Sequence, residues 1–209
     1  MKFKSILAIL TLVTFHATVG YTQQLILQEH TNYHVGNWIV AGLIRNDGTQ
    51  TVGFVEIEIR GYGENKTLVH TATTYAFSPI PPNTSIPFTF VTSQDDAQYI
   101  RSYGVQIINY SVGGSGTFQF EFDQLRITER NSSFHKWTGI LHNRSGQLRQ
   151  FVEIALMGFD TDGKLVYVDT TYTNRTSVPP DADSVFNFLV PPKLSEKVDR
   201  YRVIAYTDN

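Results

Sequence analysis

The sequence predicts an all-β protein of two tandem antiparallel β-sandwich domains behind an export signal. Three observations carry this. The chain repeats itself at an interval of 97 residues, apolar residues alternate with period two inside each copy, and no stretch beyond the N-terminus sustains a 3.6-residue apolar period. Of 209 residues, 41% are hydrophobic, 13% aromatic and 17% charged, which supplies a core and excludes disorder over most of the length. A net charge of −2 with no basic run after the N-terminus argues against a nucleic-acid partner. The lack of cysteine removes disulfides, thiolate metal sites and cysteine nucleophiles together.

Residues 1–22 read as a signal peptide. Lys2 and Lys4 precede the apolar stretch Ser5 to Phe15, which is too short for a bilayer that needs ~20 apolar residues. Polar His16, Thr18, Tyr21 and Thr22 follow, and the small residues Thr18 and Gly20 suit a cut after Gly20 or within two residues of it. The expected product is secreted or at the cell surface, with no membrane span once the signal is cleaved.

The repeat aligns Gly42–Tyr75 with Gly139–Tyr172 without a gap, and 13 of 34 positions are identical. One further residue of offset sets Ile80-Pro81-Pro82 on Val178-Pro179-Pro180, and Phe88 and Phe90 on Phe186 and Phe188. Each unit therefore has the size of a small sandwich: residues 23–112 and 123–209, with 113–122 as a linker or an extra strand. Val55, Ile57 and Ile59 alternate with Glu56, Glu58 and Arg60; Val152, Ile154 and Leu156 alternate with Glu153, Ala155 and Met157. One face of each sheet is expected buried and the other mostly wet. Asp162-Gly163 and Asn65-Lys66 read as hairpin turns, and Asn46-Asp47-Gly48 and Asn143-Arg144-Ser145-Gly146 as an earlier turn. Helix is limited to single turns at Ala97–Ile100 and Leu194–Val198.

The second unit carries Gly139 and Asn143, then Phe151-Val152-Glu153-Ile154, then Phe159-Asp160 with Gly163-Lys164-Leu165-Val166, then Val178-Pro179-Pro180 before Phe186. This pattern resembles the FxLYD domain family. The first unit matches through Gly42, Asn46, Phe54 to Ile57, Tyr62 and Pro81-Pro82, with Gly63 standing where the family pattern wants an acidic residue. The resemblance implies two tandem immunoglobulin-like sandwiches of an exported prokaryotic envelope protein, and it implies no particular activity.

Candidate sites follow residue by residue. Trp38 and Trp137 are candidate ligand-contact aromatics, set against the alternative of filling the ends of the two cores. Six of eleven asparagines lie in Asn-x-Ser/Thr, so Asn65, Asn83, Asn174, Asn109, Asn131 and Asn143 are candidate glycosylation sites in a host that uses them. Asn143 is the exception in expectation, because its repeat partner Asn46 lies outside any such triplet. His30 and His34 in an expected loop, His70 in a strand, and His135 and His142 beside Trp137 show no converging ligand set. Asp160-Thr161-Asp162-Gly163 lacks the later ligands of a calcium loop and reads as a turn. Glu56 and Glu153 are single carboxylates in equal contexts, and Ser115 sits in a glycine run without the rigidity an oxyanion hole needs. No catalytic residue, metal or cofactor is expected. The expected role is non-enzymatic recognition of an envelope protein or glycan through loops or an edge strand, with a passive structural spacer as the alternative.

Overall fold

In the computed structural model, which describes residues 25–77, 79–114 and 119–207, the alternating segments are antiparallel strands. The first copy comprises β1 (Leu25–Val35), β2 (Asn37–Asn46), β3 (Val52–Tyr62), β4 (Leu68–Tyr75), β5 (Thr84–Thr92), the single turn α1 (Gln94–Ala97) and β6 (Ser102–Val112). The second comprises β7 (Phe120–Arg130), β8 (His135–Asn143), β9 (Arg149–Gln150), β10 (Glu153–Phe159), β11 (Leu165–Tyr172), β12 (Ser177–Val178), β13 (Asp183–Val190), α2 (Pro192–Ser195) and β14 (Arg200–Tyr206). Sheets β1-β2-β5 and β4-β3-β6 form the first sandwich, and β7-β8-β13 and β11-β10-β14 the second, where β9 and β12 add a short ladder.

Residues shared by the repeat hold equivalent posts. Gly42 faces Phe88 across β2 and β5, and Gly139 faces Phe186 across β8 and β13. A Cβ at Gly42 would stand 2.4 Å from the Phe88 ring, and one at Gly139 2.3 Å from that of Phe186, so each glycine is the seat on which a core phenylalanine lies. Asn46 and Asn143 are wholly buried and pin the following turn to the Pro-Pro bend. Asn46 Nδ2 donates to the Gln50 and Ile80 carbonyls at 2.8 Å each, and Asn143 Nδ2 to those of Gln147 (2.7 Å) and Val178 (2.9 Å). In the β3–β4 hairpin both Asn65 and Lys66 take positive φ, the geometry that matches strand twist. The Asp160 turn is a hairpin whose carboxylate accepts the Asp162 and Lys164 N–H groups at 3.0 and 2.9 Å.

Several expectations move. The signal segment and Ser115 lie outside the described residues. Within 113–122, expected as a linker or an extra strand, residues 120–122 are strand: Phe120 and Phe122 pack into the second core as part of β7. The single helical turns start at Gln94 and Pro192, ahead of the expected positions. Ser93 Oγ accepts the Asp96 N–H at 3.1 Å and sets the first start; proline at the first helical position sets the second. His30 and His34 lie on β1, not in a loop.

The larger departure concerns the outward faces. Ile39, Ala41 and Leu43 of β2 point away from their own core, yet Ala41 and Leu43 are buried among residues of the second sandwich. Ala155 of β10 is buried against the first core in return, with Ile204 beside it. The sheet β1-β2-β5 therefore packs directly on β11-β10-β14, and the molecule is four sheets deep. The repeat makes the cause visible. Glu58, Arg60, Thr71 and Gln106 on the wet face of the first copy become Ala155, Met157, Val168 and Ile204 in the second. Conversely Ile39, Ala41 and Leu43 become Lys136, Thr138 and Ile140 on the outer face of β8. Each copy is apolar on the one outer face that meets the other.

Candidate functional site

Both tryptophans are buried, Trp38 at 3% and Trp137 at 6% exposure, which corrects their reading as ligand-contact platforms. Trp38 Nε1 donates to Asn32 Oδ1 at 3.3 Å, and its ring lies edge-on to Tyr103 (5.8 Å) and Phe90 (6.3 Å). Trp137 Nε1 donates to Ser195 Oγ at 3.3 Å, with Tyr201 edge-on at 5.2 Å. Each indole closes the end of a core and satisfies its one donor there.

Of the sequon asparagines, Asn65, Asn83, Asn109, Asn131 and Asn174 are exposed. Asn65 and Asn83 sit in turns at positive φ. The Asn131 amide oxygen accepts the Ser133 and Phe134 N–H groups (2.9 and 2.8 Å), so that side chain closes its own hairpin. Asn143 is enclosed, with its amide nitrogen engaged, and has no room for a sugar in the folded protein. The histidines are dispersed: His30 Nδ1 meets the Tyr103 hydroxyl at 3.0 Å and His142 Nδ1 meets Asp183 at 2.6 Å. Among the described residues no three His, Asp or Glu side chains converge on one point. No helix there is long and apolar enough to cross a membrane.

The feature that single-strand reasoning missed is the seam between the sandwiches. β11 runs across the neighbouring sheet. At its start the Leu165 N–H is held by Glu29 Oε2 on β1 at 2.8 Å; further on, the Tyr33 hydroxyl engages Val168. Thr170 then reaches the level of Pro87 and Thr89 on β5. There the sheets part and leave a cleft of about 160 Å³ whose walls include Tyr75, Phe77, Pro87, Thr89, Glu153 and Thr170. Glu153 is the charged residue among those lining it. Its cross-strand neighbours are Tyr172 on β11 and Tyr206 on β14, both on the same face. The Glu153 charge, with burial second, holds the Tyr172 hydroxyl above its ordinary pKa. The Tyr206 ring meets Phe77 of the first sandwich at 5.7 Å.

In the segment leading into β10 the copies differ. In the first, Phe54 packs on Tyr75 with ring centroids 5.2 Å apart. Its counterpart Phe151 is held at φ 49 and is 65% exposed, with its N–H donated to the Thr176 carbonyl at 2.9 Å. A non-glycine residue in this region costs about 1–3 kcal/mol and persists where the surroundings impose it. Leu148 and Tyr172 are exposed as well, at 51% and 56%. The sequence signal for this seam was present in the polar-to-apolar exchange between copies at Glu58/Ala155 and Arg60/Met157.

No family model matches the chain, and no curated protein matches it. Among solved structures, red sea bream transglutaminase is similar over 79% of this chain and 27% of its own, at 12% identity and a TM-score of 0.27. The chain spans about a quarter of that structure's length, and the likeness carries no argument about activity.

Proposed function

We propose that this chain is an exported, non-enzymatic recognition protein, built from two FxLYD-type sandwiches, that binds an envelope protein or glycan at the seam. The observation that carries the reading is Phe151: an aromatic ring kept exposed at a strained backbone position in one copy, while its repeat partner Phe54 is half-buried against Tyr75. Rigid aromatic side chains next to a cleft are the anchors on which binding energy concentrates. The test compares the protein with a variant carrying Phe151→Ser and Tyr172→Ala, using cross-linking in native envelope and a panel of immobilised glycans. Loss of one defined adduct or glycan in the variant supports the reading, and identical profiles sink it. A passive spacer is the second reading, favoured by the way Glu29 and Tyr33 fix β11 and so the angle between the sandwiches. A spacer tolerates both substitutions with no change in any assembly.

A further inference from the structure

We propose that the first sandwich carries a separate binding site, at one end of its core, for a carboxylate-bearing sugar, a uronic acid residue of an acidic glycan. It lies apart from the seam and goes beyond the recognition reading. Alternation along β1 sends Tyr33 to β11 and turns His30, Asn32 and His34 the other way, towards the start of β6. Between these strands lies a depression of about 280 Å³, close in size to the smallest ligand pockets and room for one sugar ring. Trp38, Ile100 and Tyr103 form its apolar wall. Tyr103 is fixed there and stays half-buried: its hydroxyl meets His30 Nδ1 at 3.0 Å and the Asn32 side chain, and its ring stands edge-on to Trp38 at 5.8 Å. A ring held in advance offers its surface to a ligand without an ordering cost.

Charge and unused donors give the chemical class. Arg101, His34 and Ser102 border the same depression, and no carboxylate lines it. Among the described residues the Arg101 guanidinium forms no ion pair; its one hydrogen bond runs from Nη1 to the Gln98 carbonyl at 2.8 Å, which leaves Nε and Nη2 as donors. The exposed His34 ring and Ser102 hydroxyl are likewise without a partner among those residues. A guanidinium fork with two further polar groups beside it matches a carboxylate, and the apolar wall suits a ring attached to that carboxylate. The repeat supplies the contrast. The Arg101 N–H donates to the Tyr62 carbonyl at 2.7 Å and the Asp199 N–H to the Phe159 carbonyl at 2.8 Å, so the two hold the same post with opposite charge. Tyr201 still packs edge-on to Trp137 in the second copy. The aromatic scaffold is therefore kept in both, and the anion-binding group is present in one.

The test is a titration of the isotope-labelled protein with methyl glucuronide, methyl glucoside and N-acetylglutamate amide, followed through the Trp38 indole N–H and the amides of His34 and Ser102. Methyl glucuronide is expected to give saturable shifts, at least tenfold weaker in Arg101→Gln and reduced by added salt. Methyl glucoside keeps the ring without the charge, and N-acetylglutamate amide keeps a carboxylate without the ring; each is expected to bind at least tenfold more weakly. Failure of methyl glucuronide to saturate, either control binding within tenfold of it, or Arg101→Gln retaining affinity within tenfold overturns the assignment. His34→Gln, at an exposed position, is read the same way should Arg101→Gln unfold. The Phe151 and Tyr172 double variant should keep this affinity, so failure here leaves the seam reading to its own test.

Discussion

Tyr33 and Val168, 135 residues apart, are joined twice through a single hydroxyl: it donates to the Val168 carbonyl at 2.5 Å and accepts the Val168 N–H at 3.4 Å. β11 is an edge strand, so these two backbone groups have no ladder partner, and the tyrosine of the other sandwich supplies both bonds. The Tyr33 ring also lies 5.6 Å from that of Tyr167. Tyr33→Phe keeps the ring and removes both bonds, which leaves a buried donor and acceptor unpaired. The expected loss is about 1–3 kcal/mol in urea unfolding, with no change in the core of either sandwich.

The same contact predicts a response to base. Burial is the main cause that raises the Tyr33 hydroxyl far above its ordinary value of 10.0, and it does the same for Tyr167, with the Asp169 charge adding to both. Folded-state values raised in this way give stability that is fully present below pH 10 and falls as pH climbs beyond it, because the unfolded chain releases these protons first. The midpoint of thermal unfolding should therefore drop above about pH 10. In Tyr33→Phe that drop should be shallower. An equal slope in both proteins would remove Tyr33 from the account.

The packing predicts that a fragment of residues 123–209 does not behave as a clean monomer. It lacks Phe120 and Phe122 and exposes Ala155, Met157 and Ile204. Sedimentation should show self-association, or dye binding should show a loose core. Within the whole chain, Met157→Arg, the residue of the first copy, should cost about 3 kcal/mol or more by burying a charge. The mirror change Gln106→Ile on the open face should stay within about 0.5 kcal/mol.

Gly139→Ala places a methyl group 2.3 Å from the Phe186 ring. The expected cost is about 1–3 kcal/mol of overpacking, partly recovered in the double variant with Phe186→Leu. Absence of recovery would separate the two residues energetically, against their opposition across β8 and β13.

In a glycosylating host, Asn65, Asn83 and Asn174 should carry sugar first, since each is exposed in a turn or loop. Asn143 should carry none once folded. Peptide mapping decides it; occupancy at Asn143 without Asn65 or Asn174 would contradict the buried amide.

Much of the fold was legible because it depends on local rules. Alternation at Val55–Ile59 and Val152–Leu156, turn residues at Asn65-Lys66 and Asp162-Gly163, and the glycine-phenylalanine repeats all act within one copy. The seam was not read because it joins surfaces far apart in sequence, and its only trace is a difference between copies: Ala155 where the first has Glu58, Ile39 where the second has Lys136. The tryptophans failed as site residues for a related reason. Their type fits both an exposed platform and a core plug, and only the positions of Tyr103 and Tyr201 decide between them.

The contact between the copies is head-to-tail, since unlike surfaces meet, and a heterologous contact of this kind repeated without end makes a ring or a fibre. Gene duplication of a sandwich with one adhesive patch and one matching socket would start such a polymer. In this chain the two outer faces do not repeat the contact. Glu58, Arg60, Thr71 and Gln106 occupy what would be the next socket, and Lys136 and Thr138 stand where Ile39 and Ala41 of the patch would be repeated. A handful of strand positions thus decide which faces of the two sandwiches can adhere, and the seam is the one place where both are apolar.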